Sequence, residues 1–276
     1  MRLIRILTFS NFWIAVGAAA FCQAGYLFLG DQPHWDLLNL FCFLSCWSVY
    51  LLIRVAAVKR ITHYERTHRW QFFLDHIRFF RLLTFSGLLA VAVIYFFLPF
   101  RVRMVLLLPG FISLIYGLPV TARRRKLRDI GIIKVFLIGF VWAFVGSILP
   151  AAAGEGAFSP DTIALFFAQF LFIFANALPF DISDMKSDAM HAVRTIPYYL
   201  GAELTYTLSF VCLVASGAIH GYFLPDTAVP AGVTIMLSGL LIYMSGQIKH
   251  EQVLFFGIDS LMLLQFLLVW SYLFVH

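Results

Sequence analysis

The chain has 276 residues, of which 62% are hydrophobic, 17% aromatic and only 12% charged, with a mean hydropathy of +0.89. Soluble domains lie near roughly 45–50% apolar and about 25% charged, so the composition excludes a domain dissolved in water and specifies a polytopic membrane protein. The net charge of +6 reads as a bias of basic residues toward one face of the bilayer and its anionic headgroups, with no nucleic-acid signal.

A bilayer core about 30 Å thick takes about 20 apolar residues per helix. Nine such runs follow one another at 9–29, 36–57, 80–99, 102–120, 132–152, 162–180, 204–224, 229–247 and 253–275. The alternating segments of about ten residues that mark a membrane barrel are missing. The expected fold class is therefore all-α, a polytopic transmembrane bundle of about nine helices forming a single domain over 1–276. The first run follows Arg2 and Arg5 and is longer than a secretory signal core, so it is expected to stay as the first helix. The second leads into "CWSVYLLIRVAAVKRITHYERTHRW" (46–70), the fourth into "YGLPVTARRRKLRD" (116–129), and the sixth into Pro179 and "DISDMKSD" (181–188). The ninth carries Asp259 about 12 Å from its start at 1.5 Å per residue. Cys22, Cys42, Cys46 and Cys212 all fall inside apolar runs and read as packing residues.

Nine helices put alternate loops on opposite sides. Lys and Arg then divide 18 against 2, with only Arg101 and Arg103 on the poorer side. Basic residues favour the cytoplasmic side, which predicts an N-inside, C-outside topology. The short loops suit a bacterial inner membrane.

The chemistry is expected where the acids are. On a helix at 100° per residue, Asp181, Asp184 and Asp188 fall within about 60° of one another, and Lys186 points the opposite way. Three carboxylates this close hold their charge only with a cation among them, and magnesium takes one or two carboxylates plus phosphate oxygens. Acids at the edge of an apolar span point to function, against the plainer reading of a solvated helix end. Gln169 and Asn176, seven apart on the sixth helix, form a stripe leading toward that face, and Pro179 is expected to loosen the helix there. Asp259 either borders the same cavity or is a hydrogen-bonded acid between helices.

The stretch "NALPFDISDMKSDAMHAVRTIPYYLG" resembles the second aspartate-rich motif of the UbiA superfamily of intramembrane prenyltransferases. Asp181, Ile182, Asp184, Asp188, Thr195, Ile196, Pro197 and Gly201 match in order, and Asn176 resembles the asparagine that often precedes them. Tyr116, Pro119 and the basic residues after them resemble the family's fourth-helix exit. The resemblance implies Mg2+ held by Asp181, Asp184 and Asp188 as the catalytic set. It also implies transfer of an isoprenyl group from an isoprenyl diphosphate to a hydrophobic or aromatic acceptor beside membrane lipid, with the active loops cytoplasmic. No nucleic acid is implied, and no protein partner is inferable.

The family's first motif, with its aspartates at the end of the second helix, is absent: 46–70 contains no aspartate, and Tyr50 and Arg54 stand there instead. Diphosphate is expected to meet Arg54, Lys59, Arg60, Arg124 and Lys126, because guanidinium and ammonium groups grip phosphate. Tyr50, Tyr116, Asn176 and Asp259 are expected on the cavity wall. The loss of one motif leaves open an alternative, a non-catalytic binder of prenyl lipid or diphosphate with one metal site. A secondary transporter is disfavoured, since its acids belong at mid-membrane.

Overall fold

Apolar side chains at nearly every position leave only closed helices as a way to satisfy the backbone. A computed structural model describes residues 2–58, 68–117, 131–154, 158–190, 193–247 and 251–275, and among these residues it contains helices and no strand. The helices are α1 (Arg2–Phe9), α2 (Phe12–Phe28), α3 (Leu37–Ala57), α4 (His68–Asp75), α5 (Ile77–Phe97), α6 (Phe100–Gly117), α7 (Gly131–Ala143), α8 (Leu149–Ala153), α9 (Pro160–Met190), α10 (Ile196–Phe223), α11 (Ala228–Ser245) and α12 (Glu251–Val275). A π-helical turn, Phe144–Ile148, joins α7 to α8 into one span. Seven of the helical stretches are long and apolar enough to cross a membrane, and Phe12–Phe28 is apolar but shorter.

The helices pack in a ring. Going round, α2 meets α3, α3 meets α6, α6 meets α7 and α8, α7 meets α9, and α10, α11 and α12 follow until α12 closes on α2, with α5 outside on α3. Burial follows this order. On α5 the side chains of Phe79, Leu82, Phe85, Leu89, Val93 and Phe96 are exposed, a helical stripe suited to lipid. On α9 most of the span is enclosed, which is why its polar residues look inward.

Each of the nine expected spans coincides with one of these helical stretches, with shifted ends. The first run breaks at Ser10 and Asn11, where Asn11 adopts a left-handed backbone at φ 57° and separates α1 from α2. The sixth continues through Pro179 to Met190, so the proline removes one backbone donor without ending the helix. The seventh begins at Ile196, eight residues before the expected Leu204, and bends at Gly201, whose φ of 75° and ψ of 168° are open to glycine alone at no cost. That glycine belongs to the motif noted in the sequence, and its place there has this local cause.

Small residues set the closest approaches. A Cβ on Gly25 of α2 would lie 2.5 Å from the Gly146 carbonyl oxygen in the π-helical turn and 2.7 Å from Pro150 Cγ. Gly25→Ala must push two backbones apart, and is expected to cost about 1–3 kcal/mol, the usual penalty of overpacking. A fall in the thermal midpoint of the detergent-solubilised protein checks this, and an unchanged midpoint contradicts it.

Candidate active site

The site is built on α9. Its helix carries Asp181, Asp184 and Asp188 on one face, as the 100° periodicity requires, because it stays helical to Met190. The polar residues further back hold it in place. Asn176 donates from Nδ2 to the Phe172 carbonyl and accepts from Ser238 Oγ of α11, each at 2.8 Å. Gln169 is buried against Gln265 of α12, their side-chain amides 3.5 Å apart. Ser216 of α10 donates to the Ala168 carbonyl at 2.8 Å. The stripe expected to lead to the aspartates thus divides: Asn176 reaches the cavity wall, whereas Gln169 ties α9 to α12.

Inside the ring lies a cavity of about 270 Å³. Its polar lining is Thr8 of α1, Asn11 at the α1–α2 break, Tyr50 of α3, Lys134 of α7, Asn176, Asp181 and Asp184 of α9, and Asp259 of α12. Apolar side chains complete the wall, Val135, Phe180 and Ile258 next in sequence to the charged residues and Ile138, Trp142 and Phe172 further along α7 and α9. Tyr50, Asn176 and Asp259 line this cavity, and Tyr116 is not among the described residues of its wall.

In the polar lining Lys134 Nζ donates to Asp181 Oδ1 at 2.7 Å, with 20% of the lysine side chain exposed and 2% of the aspartate. The pair forms because Gly131 opens α7 in direct contact with the segment after the aspartates: a Cβ there would lie 2.2 Å from the Arg194 carbonyl oxygen. Lys134 is one turn further along α7. Among the described residues, buried Asp181 Oδ2 has no hydrogen-bond partner, and the same is true of Asn11 Nδ2. Such atoms cost about 1–3 kcal/mol each and persist where a ligand completes them.

The other expected residues lie elsewhere. Asp188 and Tyr116 are within electrostatic reach of Lys134 but are not among the described residues of the wall. The Arg54 guanidinium donates to the Phe9 carbonyl at the end of α1 and is likewise absent from the described wall, so that bond is spent on the fold. Lys59, Arg60, Arg124 and Lys126 lie outside the described residues. Lys134 and Asn11 were not singled out in the sequence. A lone lysine three residues into an apolar run was the available signal, and it was absorbed into the count of loop charges.

Three comparisons frame this geometry. No protein-family model and no curated protein matches the sequence. Solved structures do match: the apo structure of a UbiA homologue from Aeropyrum pernix K1 is 16% identical with a TM-score of 0.67, over 95% of this chain and 97% of that one. The chain has the UbiA fold. A UbiA homologue from Archaeoglobus fulgidus bound to GPP and Mg2+ is 13% identical with a TM-score of 0.60, over 98% of both chains. A structure of digeranylgeranylglyceryl phosphate synthase is 13% identical with a TM-score of 0.59, over 100% of this chain and 98% of that one.

The UbiA fold raises the question of a divalent cation. Among the described residues no group of three or more His, Cys, Asp or Glu side chains is set to hold one. Asp181 and Asp184 of α9 do share the cavity wall, with Asp259 of α12 as a third carboxylate, and Asp181 Oδ2 is buried with no hydrogen-bond partner among the described residues. That donor set fits a single magnesium ion that completes its shell with phosphate oxygens and water.

Proposed function

We propose that this chain is an intramembrane prenyltransferase of UbiA type, moving an isoprenyl group from a prenyl diphosphate to a hydrophobic or aromatic acceptor. The observation that carries the reading is one cavity whose wall combines carboxylates and an ammonium with aliphatic and aromatic side chains. A diphosphate belongs with the first and a prenyl chain with the second. The C1–O bond of the prenyl diphosphate breaks with its electron pair leaving on the diphosphate, and an electron pair of the acceptor forms the new bond to C1. Asp181 and Asp184 would hold magnesium, which supplies charge stabilisation of the leaving diphosphate. Lys134 donates to the same oxygens. Asp259, the wall carboxylate outside that pair, takes the proton the acceptor sheds. The excess of basic residues in the loops on the side of the aspartates supports a cytoplasmic active site, and the short loops suit a bacterial inner membrane.

The second reading, a non-catalytic binder, is favoured by the stretch 46–70, which has no aspartate. One experiment separates the two. Magnesium with geranyl diphosphate is expected to raise the thermal midpoint of the purified protein, and Asp181→Ala or Asp184→Ala to remove the magnesium-dependent part of the rise. Diphosphate released over time, with an aromatic acceptor present, marks the transferase. Binding with no release over any series of acceptors overturns it.

A further inference from the structure

Three features of the polar lining belong together. The Lys134 ammonium stands 2.7 Å from Asp181 Oδ1, the position a metal ion would claim. An ammonium and a divalent cation on one carboxylate repel each other unless an anion lies between them. Asn11 presents to the same cavity a buried Nδ2 without a hydrogen-bond partner among the described residues, from a residue with φ 57°. Asparagine takes that backbone more readily than most residues, and here its amide is left facing the cavity.

We propose that Lys134 and Asn11 form an exchange device that makes divalent-cation binding conditional on a diphosphate. The ammonium holds Asp181 until a diphosphate takes it over, together with the Asn11 amide, and the carboxylate so released passes to the cation. The proposal rests on the prenyl-diphosphate reading and adds an order of assembly. It also accounts for how one pair of carboxylates serves without acids on α3: the charge missing there is supplied by a lysine. Because coupling between two ligands is reciprocal, whatever the diphosphate adds to cation affinity the cation adds to diphosphate affinity.

The test separates the two ligands so that no metal–diphosphate complex in solution intervenes. Full-length protein in detergent is titrated with Mn2+ alone, followed by electron paramagnetic resonance. Separately it is titrated with the unreactive thiolo analogue of geranyl diphosphate in chelator. Lys134→Met is expected to bind Mn2+ about tenfold more tightly than the parent and the analogue about tenfold more weakly, one charge-assisted bond in each direction. Asp181→Asn, which frees the ammonium and keeps a side chain of the same size beside it, is expected to bind the analogue more tightly in chelator. A residue that serves only as metal ligand predicts no gain there. Asn11→Gly keeps the left-handed backbone and is expected to lose analogue affinity with Mn2+ affinity unchanged. Unchanged Mn2+ binding in Lys134→Met, or no gain in Asp181→Asn, overturns the exchange alone. A parent protein that binds no prenyl analogue with or without Mn2+ overturns the substrate reading and the exchange together.

Discussion

Lys134→Met is expected to destabilise the protein by about 3 kcal/mol, because it strands a charge that the fold has paired. Asp181 is almost wholly enclosed, and its one observed partner in the hydrogen-bond network is the Lys134 ammonium. Removing one member of a buried pair typically costs about 3–5 kcal/mol, while replacing both with apolar groups is often neutral. Lys134 retains some exposure, which places the expectation at the lower end of that range. Two further results follow from the same cause. The double variant Lys134→Met/Asp181→Leu is expected to recover most of the loss. Millimolar Mg2+ is expected to rescue the single variant more than the parent, since the stranded carboxylate then has a cation to hold. Thermal unfolding in detergent with and without Mg2+ reads both. A single variant as stable as the parent, with no response to Mg2+, means the pair contributes nothing to the fold.

The helical architecture was legible because its cause is local. Uninterrupted apolar runs leave the backbone no alternative to a helix in a bilayer, and the lipid stripe on α5 follows from the same periodicity. The aspartate face was legible too, since three positions within eight residues share a face on any helix. What escaped depends on which helices become neighbours. Lys134 reaches Asp181 only because Gly131 lets α7 touch the backbone at Arg194, a contact between residues more than sixty positions apart. The partner Arg54 takes was hidden for a similar reason: α1 folds back as a separate helix and offers the Phe9 carbonyl to one nitrogen of the guanidinium. The break at Asn11 that makes α1 separate shows no proline or glycine in the sequence. A single asparagine carries it, so neither the break nor the amide it aims inward was foreseen.

Trp142 is expected to set the length of prenyl chain the cavity accepts. The distance from the charged pair can be counted along two helices. Trp142 lies eight residues beyond Lys134 on α7, and Phe172 nine residues before Asp181 on α9, which put them about 12 and about 13.5 Å along the helices from those two residues at 1.5 Å per residue. Behind Trp142 the ring of Phe21 packs edge-on, its centroid 6.1 Å away and its plane at 76°. Phe21 in turn fills the space over Gly146, where a Cβ would come within 2.4 Å of the ring. Trp142 is therefore an aromatic part of the cavity wall backed by packed helix, and a volume of about 270 Å³ suits a short chain. Trp142→Ala removes most of that wall. It is expected to cost about 3 kcal/mol of stability as a large-to-small change in a packed site. It is also expected to raise the ratio of kcat/KM for geranylgeranyl over geranyl diphosphate by about tenfold or more, since about 1.4 kcal/mol of relieved steric conflict suffices for that. Competition between the two diphosphates, with products resolved by mass, measures the ratio directly. A loss of stability with an unchanged ratio would assign Trp142 to packing alone and place the end of the chain elsewhere on the wall.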